Sequence, residues 1–534
     1  MAKGHTPEVV NLSPAQLEEL LVELSALLPA KTYHLVEALL RTLQWLMELV
    51  QKKGITLARL HRVLFGFPTE KAQQILPREP AADSTPEQRA DSAPAPNPRK
   101  RRGHGRQPAR LYTGAEKIAV PHPHLSAGGP CPACGGRLCA KAPAQVVCIR
   151  AQPILPARLY EAAVLRCNRC GKVFTAPLPP EAAREKYDPG VGDMLALLRY
   201  GAGLPMYRIA KLQKDFGVPL PASTQWQLMA ASAQQHQPVY EALIDAAAQG
   251  QILHHDDTHM RVQSLRQQIV QGTSDSERTG IFTTSIVCDL QGHQVGLFFT
   301  GRNHAGENLD QLLKRRAQTL SAPLHMCDAL SRNESKEFET ILCNCLAHGR
   351  RNFVDVLSNF PEPCRHVIES LGQVYQYEAQ AKERKLSAAQ RLCFHQEQSR
   401  PVLDQLHQWM SQQIEEKKVE PNSGLGRAME YMLKRWDALT RFLSVPGAPL
   451  DNNICERALK LVILHRKNSI SYKTERGAAV GDLYMSLIHT CRLNQINPFD
   501  YLQALREHAR AVREDVRRWL PWTYRKTLGA ADTG

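Results

Sequence analysis

The chain has 534 residues, of which 43 % are hydrophobic and 22 % charged, a length that predicts several domains and a balance that excludes a wholly disordered or fibrous protein. Lys plus Arg number 67 against 52 Asp plus Glu, giving a formal charge of +15, which points to a polyanionic partner, nucleic acid ahead of an acidic membrane surface. The N-terminus has no apolar signal-peptide core, and no stretch reaches the roughly 18 uninterrupted apolar residues that span a bilayer, so a cytoplasmic protein with no membrane partner is expected.

Residues 1–76 read as helical. Val36, Leu39, Leu43, Leu46 and Val50 follow a 3-4 apolar spacing that Leu40 and Met47 widen. A helical hairpin burying its own stripe and a dimerising zipper both fit this pattern, and two heptads favour the hairpin. Residues 77–118 are a linker, rich in Pro, Ala, Ser and charge, too poor in apolar surface to offset the entropy of ordering. The linker ends in a basic run that includes Arg101, Arg102 and Arg106, suited either to lying along DNA phosphates or to plain solvation.

Residues 119–180 carry Cys131-Pro-Ala-Cys134-Gly-Gly and Cys167-Asn-Arg-Cys170-Gly. Two Cys-x-x-Cys pairs in an intracellular chain of 14 cysteines read as a metal site before a disulfide framework. Each tight turn aims two thiolates at one point, so Cys131, Cys134, Cys167 and Cys170 are the expected ligands of a structural Zn²⁺ in a small ribbon. The 32 residues between the pairs exceed the usual spacing and hold two strand-like segments, Val147–Arg150 and Arg158–Arg166. Cys139, His122 and His124 are alternative ligands, and a metal-free core is the competing reading. Residues 181–248 are helical, with Met206 to Phe216, a turn at Gly217, and a second helix whose cap is expected at Ser223 or Thr224. That is a helix-turn-helix outline, which many plain αα-hairpins share.

From residue 249 the period becomes strand-like. Gln251 to Val262 is one strand, Ile281–Asp289 and Gln294–Thr300 form a hairpin across Leu290–His293, and Ala305–Ala317 reads as a helix. Pro323–Asp328 and Thr340–Ala347 are two further strands, with a helix expected between them and another from His348 to Leu357. This is the order of a ribonuclease-H-like α/β core, expected over 249–488 with a helical insertion at about 360–445 and a C-terminal helical segment at 489–534. Such a fold would set the first strand beside the fourth, bringing Asp256 or Asp257 close to Asp328. Two hard cations need a third carboxylate while leaving positions for phosphate and water. Glu456 is the candidate, one turn inside a helix that Asp451 or Asn452 can cap. Lys460 lies four residues on, on the same face, where it suits a phosphate contact or a surface ion pair with Glu456. Cys343, Cys345 and His348 suggest a second metal site, but alternation along a strand favours core packing of the two cysteines.

These residues resemble a known family. Arg62-Val-Leu-Phe-Gly-Phe-Pro-Thr-Glu-Lys71, Cys131-Pro-Ala-Cys134, Gly203-Leu-Pro-Met-Tyr-Arg208, His255-Asp256-Asp257-Thr258, Cys345-Leu-Ala-His348-Gly-Arg350-Arg351-Asn-Phe353, Asp451-Asn-Asn-Ile-Cys-Glu456-Arg457 with Arg466-Lys467-Asn468, Asn494-Gln-Ile-Asn-Pro498 and Leu520-Pro521-Trp522 are similar, in this order, to the motifs of the insertion sequence 66 family of bacterial DDE transposases. The glutamate motif is the most specific. The resemblance selects Asp256 over Asp257, while Asp328-Ala-Leu-Ser-Arg-Asn departs from the family's more common glycine-and-tyrosine run. It implies an enzyme that binds double-stranded DNA at transposon ends and target, cleaving and joining strands with two Mg²⁺ (or Mn²⁺) ions on Asp256, Asp328 and Glu456. Arg350, Arg457, Lys460, Arg466 and Lys467 join Arg101, Arg102 and Arg106 as expected DNA contacts. A homo-oligomer, accessory proteins of the same element and a nucleoid-associated location are further implications. The rivals are a non-catalytic DNA-binding regulator derived from such an enzyme and a stand-alone nuclease of the same fold.

Overall fold

The computed structural model describes residues 186–273 and 278–531 without a break, 154–166 and 173–179, and scattered residues before them. The linker, the basic run with Arg101, Arg102 and Arg106, and the thiols of Cys131, Cys167 and Cys170 lie outside the described residues, as does the predicted strand at 147–150. The chain divides into two compact units. A helical unit comprises Met1–Pro80, Ala322–Glu334 and Glu339–Asn453; a strand-rich unit comprises Ala81–Ser321, Ser335–Phe338 and Ile454–Gly534. No helix among the described residues is long and apolar enough to cross a membrane.

The strand-rich unit opens with an antiparallel pair, β1 (Val164–Arg166) and β2 (Val173–Thr175). Arg166 pairs with Val173, and Cys167 and Cys170 fall between them in sequence. Helix α1 (Val191–Ala196) runs on into a π-turn at Leu197–Gly201. Buried Asp193 on α1 accepts from Ser232 Oγ at 2.5 Å and meets His236 Nε2 at 2.8 Å and Arg506 Nε at 3.4 Å. Next come α2 (Met206–Asp215) and α3 (Ala222–Ala248), separated by a turn in which Gly217 takes φ +76°. The predicted hydroxyl cap is not used. Pro221, at φ −61° and ψ 149°, sets the entry to α3, and Gln225 Nε2 ties it back to the carbonyls of Met206 and Leu220 at 3.1 and 2.9 Å. Met229, Ala233, Val239, Leu243 and Ala247 of α3 belong to one core with Leu253, Ile286, Leu297 and Phe298 of the strands that follow.

Those strands are β3 (Ile252–His259), β4 (Phe282–Leu290) and β5 (His293–Gly301), antiparallel in the order β5-β4-β3. Gln291 at φ +52° and Gly292 at φ +85° close the β4–β5 hairpin in two residues, the left-handed pair that matches strand twist. A helix that the sequence reading missed, α4 (Gln263–Val270), is inserted between β3 and β4. Helix α5 spans Ala305–Leu313, four residues shorter at its C-terminus than expected.

The helical unit begins with a parallel pair, β6 (Leu324–Cys327) and β7 (Ile341–Asn344), in which Met326 pairs with Cys343. The helix expected between these strands is replaced by a 3₁₀ turn at Ser331–Asn333. The reason lies in the strand-rich unit, where Asp310 of α5 accepts from Ser335 Oγ at 2.6 Å and from the Lys336 amide at 3.2 Å, holding that segment out of a helix. Then follow α6 (Leu346–Val356), α7 (Pro361–Glu383), α8 (Ala388–Glu415), α9 (Gly424–Leu433) and α10 (Trp436–Leu439), which make residues 361–439 mostly helical. Ser387 caps α8 in a reciprocal pair with Gln390. Cys343 and Cys345 are both fully buried, and Cys345 Sγ accepts the Asn452 amide at 3.3 Å.

The chain finishes with α11 (Asn453–Ser469), α12 (Glu475–Leu493), α13 (Pro498–Glu507), α14 (Ala509–Glu514) and α15 (Tyr524–Ala531). Helix α12 and the residue after it cover the outer edge of β5 by a ladder of side chains. Asp482, Ser486, Thr490 and Asn494 accept from the backbone N–H groups of Thr300, Phe298, Gly296 and Gln294 at 2.7, 3.0, 3.1 and 3.2 Å. Four helical residues rise about 6.0 Å and two strand residues about 6.8 Å, so the two periods stay in step over four rungs. An edge that would otherwise template another chain is thereby satisfied. Gly296 permits the approach, since a Cβ there would lie 2.5 Å from His489 Cδ2.

Candidate active site

Asp256 and Asp257 lie on β3 opposite Ser285 and Thr284 of β4. Alternation along the strand sends their side chains apart, and their surroundings differ accordingly. The Asp257 side chain is 3 % exposed and meets His304 Nδ1 at 3.2 Å. His304 precedes α5, its amide donates to Glu307 Oε2 at 2.9 Å, and Arg278 Nη1 grips both Glu307 oxygens at 2.6 and 2.7 Å. The Arg278 hydrogen bonds hold the Glu307 carboxyl below its usual range against partial desolvation. Asp257 is thus the inner end of a relay that fastens β3 to α5. Asp256 turns along its own strand, with Oδ1 accepting the Asp257 amide at 2.8 Å.

Glu456 sits in the first turn of α11, whose first amide, that of Asn453, donates to Asp451 Oδ1 at 3.1 Å. This is the cap that the sequence predicts. The adjacent Cys455 is fully buried, and its thiol donates to the Ser285 carbonyl at 3.3 Å, over the same rung of the sheet that carries Asp256. Burial, then the charges of Asp256 and Glu456, push this thiol well above its ordinary value. One buried sulfur therefore senses both carboxylates. Sequence reasoning passed over Cys455, whose only signal was its place between Asn453 and Glu456.

The far end of α11 is also anchored. Arg466 Nη1 donates to Thr258 Oγ1 at 3.1 Å and to the His259 carbonyl, so this predicted DNA contact is tied to the end of β3. His465 is buried and stacked between Tyr200 and Tyr472, with ring centroids 5.8 and 4.6 Å away, and desolvation lowers its pKa to about 3. Asn468 Nδ2 donates to the Gly203 carbonyl at 3.0 Å, joining the Arg466-Lys467-Asn468 motif to the Gly203-Leu-Pro motif. Gly203 holds φ +74°, and a Cβ there would strike Leu464 at 2.8 Å. Arg457, Lys460 and Lys467 are exposed on α11, while Arg350 on α6 is buried.

In the helical unit, Asp328 follows β6 directly, and its Oδ1 accepts from Asn333 Nδ2 of the 3₁₀ turn. Burial pushes the Tyr431 hydroxyl on α9 up to about 12; Arg435 opposes that shift and the Asp328 carboxylate adds to it. Of the thiols expected to bind zinc, Cys134 is described and is exposed.

The family described as Transposase IS66 family matches residues 186–480, more than half of the chain. The chain belongs to this transposase family. Three proteins of Sinorhizobium fredii (strain NBRC 101917 / NGR234) are similar to it, each described as an uncharacterized protein. The chain is 25 % identical to y4hP over 387 residues, covering 68 % of this chain and 67 % of that protein. It is 31 % identical to y4jD over 202 residues, 37 % of this chain and 39 % of that protein, and 24 % identical to y4qI over 343 residues, 62 % and 61 %. The chain therefore spans less than two thirds of the length of y4jD and y4qI.

Proposed function

We propose that this chain is the DNA transposase of an insertion sequence, binding the element's ends, cleaving them and joining them to target DNA. The observation that carries the reading is the placement of Asp256 on β3 and of Glu456 in the first turn of α11, the helix that the Cys455 thiol seats on the carbonyl of Ser285, the β4 residue opposite Asp256, supported by membership of the transposase family. Two carboxylates, each on a regular element, supply hard oxygen donors and fit divalent cations of the Mg²⁺ or Mn²⁺ type. Asp256, Asp328 and Glu456 would hold two such ions on a ribonuclease-H-like core. When bound, they would activate the attacking oxygen and stabilise the leaving one. Asp257 is a positioning residue, bonded to His304 and unavailable to such a site.

The same proposal gives Cys131, Cys134, Cys167 and Cys170 a structural Zn²⁺. An exposed thiol at Cys134 and a short hairpin bracketing Cys167 and Cys170 suit such a ribbon. Arg101, Arg102, Arg106, Arg350, Arg457, Lys460, Arg466 and Lys467 form the basic set for DNA. Of these, Arg466 acts from within the protein, tied to Thr258 and to the His259 carbonyl, and Arg350 is buried. Self-association, accessory proteins of the element and a nucleoid-associated cytoplasmic location complete the reading.

The test incubates wild type, Asp256→Asn, Asp257→Asn and Glu456→Gln with labelled element-end DNA and Mg²⁺, scoring 3′ nicks and joined products. Wild type and Asp257→Asn are expected to cleave and join; Asp256→Asn and Glu456→Gln are expected to bind DNA without cutting it. Cleavage that survives Glu456→Gln refutes the carboxylate assignment, and cleavage without joining by wild type moves the protein to the nuclease class.

A further inference from the structure

Helix α11 ends at Ser469, and the next residue, Ile470, stands at φ +65°. That position after a helix ordinarily takes glycine or asparagine, because a β-branched side chain is strained in the left-handed region. Burial does not explain the choice, since Ile470 is 62 % exposed. Val270, the last residue of α4, is 80 % exposed.

Both line one groove of about 1020 Å³ in the strand-rich unit, together with Arg261, Arg266, Arg466 and Lys467; no carboxylate lines it among the described residues. Arg261, Arg266 and Lys467 are exposed and make no ion pair among the described residues. The groove is stiff. Tyr472 N donates to the Arg261 carbonyl at 2.8 Å, the amides of Gln263 and Ser264 donate to the carbonyls of Tyr472 and Lys473 at 2.9 and 3.1 Å, and Gln263 Nε2 donates to Ser471 Oγ at 3.0 Å. It begins at His259, three residues along β3 from Asp256, or about 10 Å.

We propose that this groove holds the sugar-phosphate backbone of the DNA strand next to the cleaved phosphate, with Arg261, Arg266 and Lys467 on phosphates and Ile470 and Val270 against the deoxyribose faces. The proposal rests on the transposase reading and adds Arg261, Arg266, Val270 and Ile470 to its DNA contacts. Among the described residues the groove presents cations without acids, which match a polyanion, and an exposed apolar pair held between them matches the alternating chemistry of a nucleic-acid strand better than that of an acidic peptide. The backbone strain at Ile470 is retained because the side chain is needed outside the fold.

The test measures binding of the full chain to a fluorescein-labelled random-sequence duplex as salt is raised. The double variant Arg261→Gln/Arg266→Gln should lower the slope of log affinity on log salt by about 1.8, so that a fourfold rise in salt weakens it about twelvefold less than wild type. The double variant Arg510→Gln/Arg513→Gln on α14 removes the same charge elsewhere and should leave the slope unchanged. Ile470→Gly should raise the unfolding midpoint while weakening duplex binding several-fold, a pair of opposite effects that a merely structural role does not give. An unchanged slope in the groove variant, an equal fall in the α14 variant, unaltered binding by Ile470→Gly, or displacement of the duplex by polyglutamate as readily as by unlabelled DNA each overturns the proposal. Wild type that binds no duplex overturns the transposase reading itself, whereas wild type that binds and cuts while the groove variants match it overturns only this inference.

Discussion

Replacing Asp482 by asparagine should stabilise the protein at high pH and leave it nearly unchanged at low pH. Asp482 is the first rung of the ladder between α12 and β5, buried, with Oδ2 accepting the Thr300 amide at 2.7 Å and Oδ1 facing Thr300 Oγ1 at 2.6 Å. Burial outweighs both hydrogen bonds and pushes its carboxyl up to about 8 from 3.8. The groups that sense its charge are Tyr200, Tyr240 and Tyr472, while Arg302 lines the same cavity. Between about pH 4 and pH 8 the folded state keeps a proton that the unfolded state has released, so stability falls as pH rises through that window. The slope is about 1.4 kcal/mol per pH unit, or about 4 kcal/mol between pH 5 and pH 8. Asparagine keeps both contacts. Its oxygen accepts from the Thr300 amide, its amide donates to Thr300 Oγ1, and that hydroxyl passes its own proton to Thr283 Oγ1, 2.8 Å away. The measurement is the urea midpoint of both proteins from pH 5 to pH 8.5. A difference that grows with pH in favour of Asp482→Asn is expected; a difference independent of pH, or one that favours wild type as pH rises, refutes the argument by showing an ionised and well-compensated carboxylate.

The other predictions concern single contacts. Glu378 on α7 accepts from Arg391 Nε at 2.8 Å and meets His395 Nε2 at 2.9 Å, and these partners overcome its burial to hold its carboxyl at about 2. Its contribution of about 3 kcal/mol is therefore complete above pH 4.5 and lost as pH falls towards 2; acid unfolding followed by circular dichroism should show this, and Glu378→Gln should cost about 3–5 kcal/mol at neutral pH. Gly296→Ala drives a methyl into His489 and should cost about 1–3 kcal/mol in a urea titration. Asp451→Ala removes the bond to the Asn453 amide and should cost about 0.5–2 kcal/mol in stability, while cleavage of labelled end DNA should fall further because Glu456 lies in the turn that frays.

The parts of the fold that were legible in the sequence are those written in neighbouring residues. Gln291-Gly292 between two alternating runs announces the β4–β5 hairpin, and Asp451 ahead of an apolar-periodic segment announces α11 and its cap. The ladder on β5 was not legible, although Asp482, Ser486, Thr490 and Asn494 recur every four residues, because their partners lie 182 to 200 residues away and each polar residue reads singly as a solvated face. The same distance hid the role of Asp310, whose capture of Ser335 and Lys336 replaces a helix by a 3₁₀ turn. At the candidate site, alternation sends the two aspartates on β3 to opposite faces and the resemblance selects Asp256, but only His304, 47 residues downstream, shows that Asp257 is held inside. Helix α4 was missed because Gln263–Val270 is short and its apolar residues are few.

The motifs of the chain make physical sense as the anchors of one helix. From Cys455 to Arg466 is eleven residues of α11, about 16 Å, and over that length the helix is pinned to Ser285 at one end and to Thr258 and His259 at the other. His465 is wedged between Tyr200 and Tyr472, and Asn468 bonds the Gly203 carbonyl. A rod held at both ends can move Glu456 relative to Asp256 only by breaking contacts at β3, β4 and Gly203 together. The relay Arg278–Glu307–His304–Asp257 does for the strand what these anchors do for the helix. On the proposed reading, carboxylates that hold hard cations would gain from such support, because flexible ligands would spend binding energy on their own ordering. Around Glu456, Asp451 starts the helix, Cys455 seats it, and Arg466 and Asn468 fix where it ends.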